Sequence, residues 1–325
     1  MADELTWVQK IVGPPPPGSV PPPPIADVEA IPERRAAIDL GSLNRDLPPL
    51  AEMREGILLR EREGVDLTAE LYVPRGDPPF PSLLYLHGGA FCVWSARDVR
   101  RIAVRLAASG WLVASLDYGL APEHPFPWAV EDTVYAARWL TRNASRFGGT
   151  DGAPIAIGGD SAGANLSAAA ISFLAGGAEF EAIDEGDLAG VPVSFAAALL
   201  HCGSFDRRAR MSERDTTPGT TEVMTCLAYL GTHFLAKQLN PLASPRFAPN
   251  LDRFPPTYLS CGAEDPLLPQ TLSMTRELAD AGVSVTASVV PEADHEFLLY
   301  DLERPGVAPE WDRCLSWLRE HAPPA

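Results

Sequence analysis

The chain has 325 residues, 46% of them hydrophobic, which is ample for one large core with an added cap and far too apolar for a disordered chain. Its 43 acidic against 26 basic side chains leave a formal net charge of −17, a surface that repels nucleic acid and anionic membranes. No run is long and apolar enough to span a bilayer, so stable membrane insertion is not expected.

The N-terminal MADELTWVQKIV lacks the basic and then apolar regions of a signal peptide. The five cysteines, Cys92, Cys202, Cys226, Cys261 and Cys314, form no CxxC pair and no metal-ligand spacing with histidines. The expectation is a reducing, cytoplasmic setting, with no metal and no cofactor. Residues 1–55 read as an N-terminal arm and cap. Their run GPPPPGSVPPPP, Gly13–Pro24, favours extended polyproline II and reads as a connector. Glu4–Val12 and Asp46–Arg54 read as short helices.

From residue 56 strands and helices alternate. The strands fall at Leu67–Val73, Ser82–Leu86, Leu112–Asp117, Ile155–Gly158, Val193–Leu200, Thr257–Cys261 and Val283–Val289. The helices fall at Asp98–Ser109, Pro127–Asn143, Gly163–Leu174, Gln270–Ala281 and Pro309–His321. Apolar strands separated by helices predict a mostly parallel sheet covered on both faces, with its site at the C-terminal strand ends. The polar and then aromatic segment 203–249 breaks the alternation and reads as a lid insertion. It divides the core into 56–202 and 250–325.

The chemistry lies at the strand ends. IAIGGDSAGANLSAA, Ile155–Ala169, is a strand, a G-x-S-x-G turn and a small-residue helix, which exposes the Ser161 hydroxyl above the sheet. Gly159 and Gly163 let strand and helix approach closely. Upstream, LLYLHGGAF ends a strand in a glycine loop, and the N–H groups of Gly88 and Gly89, with that of Ala162, are assigned to an oxyanion. His87 in that loop reads as structural. Of the six histidines, His295 follows the last strand and reads as the base, while Asp265 follows the preceding strand and is taken as the acid over its neighbour Glu264. Phe91, Trp94, His201, Phe205, Leu267 and Phe297 adjoin these loops and are the candidate substrate-binding walls. Arg207, Arg208 and Arg210 read as lid surface.

Together HGGAF at 87–91, DYGLAPEHPFP at 117–127, GDSAGANL at 159–166, EDPL at 264–267 and DHEF at 294–297 resemble the bacterial hormone-sensitive-lipase family of esterases. The resemblance covers roughly residues 56–321. It implies an α/β-hydrolase fold with an eight-stranded sheet, flanking helices and a helical cap. It implies hydrolysis of short-chain or small-molecule carboxylic esters by Ser161, Asp265 and His295, and a homodimer through the last strand and helix. It also makes Asp117 and Glu123–His124–Pro125 a brace beside the oxyanion loop. Ala90 stands where the family has a third glycine, and HCGSFD follows a strand where a Tyr-Pro pair is usual. These departures leave open a specialised-metabolite deacylase, an amidase or lactonase, or an acyltransferase using the same triad. A non-enzymatic small-molecule receptor is the reading furthest from these.

Overall fold

In a computed structural model, the structure describes residues 28–38, 40–176, 180–208, 221–231 and 234–323. The proline run, the segment Glu4–Val12 and Arg210 lie outside them.

Among the described residues eight strands form one sheet: β1 (Glu52–Arg62), β2 (Val65–Val73), β3 (Ser82–Leu86), β4 (Leu112–Asp117), β5 (Ile155–Asp160), β6 (Phe195–His201), β7 (Thr257–Gly262) and β8 (Val285–Val290). Their order is β1-β2-β4-β3-β5-β6-β7-β8. β2 pairs antiparallel with β1 and β4, and every other pairing is parallel. The central strands are buried along their whole length, which is why they read as unbroken apolar runs. The helices are α1 (Ile31–Ala36), α2 (Arg100–Ala108), α3 (Trp128–Asn143), α4 (Ala162–Gly176), α5 (Thr221–Leu230), α6 (Phe234–Lys237), α7 (Leu268–Asp280), α8 (Phe297–Tyr300) and α9 (Ala308–His321).

Two cores flank the sheet. One joins α3 and α4 to the sheet through Val134, Leu140, Leu166 and Ile171. The other joins α2, α8 and α9 through Ile102, Leu106, Leu299 and Leu318. Helix α4 is buried from Ala162 to Phe173, because it lies between sheet and neighbouring helices rather than at a surface. Its alanines and serines fit that narrow space.

The helix expected over Asp46–Arg54 is not there. A 3₁₀ turn covers Gly41–Asn44, and β1 starts at Glu52, inside the segment assigned to the arm. As an outer strand with exposed side chains over its first five residues, β1 lacks the apolar alternation that marks a half-buried strand.

Candidate active site

The turn from β5 into α4 places Ser161 in a left-handed conformation, φ +51°. The serine N–H donates to the His201 carbonyl at 2.9 Å, fastening the elbow to β6. Neither flanking glycine is needed for backbone freedom here. A β-carbon on Gly159 would meet the Leu86 carbonyl oxygen at 2.3 Å, and one on Gly163 would meet it at 2.0 Å. Close passage of α4 over the end of β3 is what demands them.

The structure brings Ser161, His295 and Asp265 together from three strand ends. His295 Nε2 lies 3.0 Å from the Ser161 Oγ, and Nδ1 lies 2.8 Å from Asp265 Oδ2. With its proton on Nδ1 the ring donates to Asp265 and accepts from the serine hydroxyl. The His295 and Asp265 side chains are wholly buried. Burial pushes the Asp265 carboxyl up, but the charge and hydrogen bond of His295 and the Leu267 N–H, 2.7 Å away, outweigh it and hold the group below its ordinary value. A buried, ionised acid behind a base, and a serine before it, is the arrangement for nucleophilic acyl transfer.

The glycine loop after β3 runs through three left-handed residues, Gly89, Ala90 and Phe91, at φ +97°, +53° and +65°. The methyl of Ala90 makes that conformation costly by about 1–2 kcal/mol, so the loop must be held from outside. Cys92 and Val93 donate their N–H groups to the Gly89 carbonyl at 2.9 and 3.0 Å, and Ala121 donates to the Phe91 carbonyl at 2.9 Å. The Tyr118 hydroxyl donates to the His87 carbonyl at 2.7 Å. From α1, Arg35 donates to the carbonyls of Cys92 at 2.7 Å and Ala121 at 2.8 Å, and pairs with Glu123 at 2.9 Å. Asp117 accepts from the Ala96 N–H at 2.7 Å. Thus Asp117 holds the loop directly and Glu123 through Arg35, whereas His124 packs against Trp128. The sequence reading missed Arg35, since nothing in a lone arginine on a short helix signals so distant a contact.

His87 is buried, stacks on Tyr118 with centroids 4.3 Å apart, and has Nδ1 2.8 Å from the Gly88 carbonyl. Burial lowers its pKa to about 4, so the ring is neutral and structural. Gly88 is walled in: a β-carbon there would lie 2.4 Å from Asp160 Oδ2 and 2.6 Å from Glu296 Oε1. Its N–H faces Asp160 and lowers that carboxyl against the upward push of burial.

The candidate walls are all buried. Phe91 stacks on Tyr229 at 3.8 Å, Trp94 packs over Gly88, and Phe205 folds back against Gly203. Leu267 caps α7 beside Asp265, and Phe297 starts α8 next to the triad. His201 corrects its reading as a wall. Its Nδ1 is 2.6 Å from the Ser260 Oγ and its Nε2 is 3.9 Å from Cys314 on α9, so the ring fills the core beneath the sheet. Arg207 is buried rather than on the lid surface; it donates to the Ser204 Oγ at 3.1 Å and lies over the Phe91 ring. Arg208 pairs with Asp206 at 3.3 Å.

Cys202, His295 and Glu296 set donor atoms within 4.8 Å of one another. They suit a cation poorly. Burial drives the Cys202 thiol and the Glu296 carboxyl toward their neutral forms, and His295 Nε2 already faces Ser161. Among the described residues no helix is long and apolar enough to cross a membrane.

A family model described as an alpha/beta hydrolase fold matches residues 83–299. The chain is 29% identical over 292 residues to the carboxylesterase NlhH of Mycobacterium tuberculosis, covering 85% of this chain and 86% of that protein. It is 32% identical over 241 residues to an acetyl-hydrolase of Streptomyces hygroscopicus, covering 72% and 73%. Among solved structures, a bacterial heroin esterase superposes with a TM-score of 0.74 at 28% identity, covering 92% of this chain and 94% of that one.

Proposed function

The chain belongs to the α/β-hydrolase fold family and is a serine carboxylesterase acting through an acyl-enzyme, and from that premise we propose that it cleaves small esters with short acyl chains, as an esterase of the bacterial hormone-sensitive-lipase type. The observation that carries this reading is the relay from Ser161 through His295 to Asp265, at 3.0 and 2.8 Å. Relatives named for carboxylic esters and for acetyl groups support the short acyl chain.

In this reading His295 takes the Ser161 proton as the hydroxyl attacks the ester carbonyl, and Asp265 stabilises the imidazolium. The oxyanion is met by the N–H of Ala162 at the start of α4, aided by the partial positive charge of that helix end. From the glycine loop Gly89 serves, with the adjacent Ala90. Gly88, assigned as a donor from its sequence, faces Asp160 instead, and a carboxyl beside it would repel an oxyanion. His295 returns its proton to the leaving alcohol, and water activated by the same ring frees the acid. Phe91, Trp94, Phe205, Leu267 and Phe297 form the walls, with the described residues of 28–51 and 203–249 as the cap.

The exposed edge of β8, with Val289 at its surface, and the face of α9 beside it suit a homodimer. Five unpaired, buried cysteines suit a reducing cytoplasm. The test is turnover of p-nitrophenyl esters of increasing acyl length by wild type and Ser161→Ala. Wild-type turnover that is highest on the shortest chains and absent in the variant is expected. A preference for long chains, or turnover that survives the substitution, defeats the reading.

A further inference from the structure

Beneath the triad lie two carboxyl groups that hydrolysis by Ser161, His295 and Asp265 does not use. Asp160 and Glu296 are each 2% exposed. Asp160 Oδ2 and Glu296 Oε1 converge on one point, the space above the Gly88 α-carbon, which they approach to 2.4 and 2.6 Å. Neither oxygen has a hydrogen-bond partner of ordinary geometry among the described residues, although the Gly88 N–H faces Asp160 and the Cys202 thiol faces Glu296. No lysine or arginine among them pairs with either group, and the nearest basic atom is His295 Nε2, 3.6 Å from Glu296 Oε1. The other titratable groups facing the pair are Tyr85 of β3, whose hydroxyl donates to Asp160 Oδ1, Tyr118 after β4, Cys202 after β6, Asp265 after β7 and Tyr300 of α8. None of these supplies a positive charge.

Two carboxylates this close, buried and without a cation, cannot both be ionised. One proton between them resolves the repulsion and lets one carboxyl donate to the other. Tyr85 and the Gly88 N–H already face Asp160, which marks Asp160 as the acceptor and Glu296 as the holder of the proton.

We propose that Glu296 is a positioning residue for ester hydrolysis: as an un-ionised acid donating to Asp160, it closes the floor under Gly88 and confines the His295 ring so that its Nε2 stays on Ser161. The inference rests on the esterase reading of the same site. An ionised Glu296 would compete with Ser161 for the imidazolium N–H, hold the proton back from the leaving alcohol, and set a second negative charge beside the forming oxyanion. Glu296 itself sits in a left-handed conformation, φ +58°, immediately after the base, so the fold holds it there against local strain.

The experiment compares wild type, Glu296→Gln and Glu296→Ala. The glutamine amide can still donate to Asp160, and the alanine cannot. On p-nitrophenyl acetate the alanine variant should lose about 100-fold in kcat with KM within about threefold, and the glutamine variant should recover to within about threefold of wild type. Infrared spectra at neutral pH should show the carbonyl band of an un-ionised carboxylic acid in wild type and lose it in Glu296→Gln. Equal losses in the two variants, no loss in the alanine variant, or no acid band in wild type would each overturn the proposal. The band is read without turnover, so a wild type that hydrolyses no ester refutes the esterase reading and still leaves the shared proton decided.

Discussion

Replacing Gly163 by alanine tests the claim that close backbone passage, rather than turn geometry, sets the nucleophile elbow. The new β-carbon would start 2.0 Å from the Leu86 carbonyl oxygen, 2.5 Å from its carbon and 2.7 Å from the His87 carbonyl oxygen. All three are backbone atoms, so no rotamer relieves the contact. Helix α4 and the end of β3 must separate by about 1 Å to restore ordinary packing distances. Overpacking of this kind costs about 1–3 kcal/mol, and more where the backbone must move. The same movement carries Ser161 and Ala162 away from the glycine loop, and a 1 Å misplacement costs about 100-fold in rate. Gly282→Ala is the control. Gly282 has φ +86° but open space around it, so its alanine loses about 1–2 kcal/mol to backbone strain and leaves the site intact. Denaturant unfolding with kcat for p-nitrophenyl acetate reads both effects. A Gly163→Ala protein with wild-type stability and turnover, or one no worse than Gly282→Ala on both counts, would refute the close-passage argument.

Asp265→Asn keeps the shape of the acid but leaves His295 Nδ1 facing a group that can donate, so the wrong tautomer is favoured and kcat should fall about 10⁴-fold with little change in KM; steady-state kinetics decide it. The stability of the fold should decline in mild acid through His87 and His201. Burial lowers both folded pKa values to about 4, below the ordinary 6.5. The unfolded chain therefore binds these protons first, and stability present above about pH 6.5 is lost as the pH falls toward 4, by about 3 kcal/mol for each ring. Unfolding free energies measured across that window should show a shallower slope in His201→Gln than in wild type; parallel slopes would contradict the assignment.

Much of this was legible because the chemistry sits where a period changes. The strands β3, β4, β5 and β7 are buried on both faces and so read as apolar runs, and each motif follows such a run directly. Ser161 and Asp265 could be picked out by their order after these strands, and His295 by its place after the last strand, β8. What sequence could not supply was direction. His201 adjoins the elbow in the chain, yet as the last residue of β6 its side chain falls on the face packed by α9. Gly88 and Gly89 look alike as letters, and only the structure shows that the Asp160 and Glu296 carboxyls pack against Gly88 while Val93 packs against Gly89. Strand β1 escaped notice for a related reason: an outer strand with charged side chains on its exposed positions carries no core-facing pattern to read.

The neutral groups around the triad have one electrostatic consequence. His87 is held uncharged by burial, as are the Cys202 thiol and the Tyr118 and Tyr85 hydroxyls. Asp265 is held ionised, and the Asp160–Glu296 pair keeps a single charge at most while its shared proton stays. Transfer of the Ser161 proton to His295 then occurs among fixed dipoles and few competing charges, where a hydrogen bond to the oxyanion is stronger than in water. The two kinds of neutral group oppose each other with pH. The histidines make the fold more stable as pH rises toward 6.5, whereas an acid whose pKa is raised in the fold makes it less stable above its ordinary value of 4.5. The same burial that quiets the site electrostatically therefore bounds its stability from both sides.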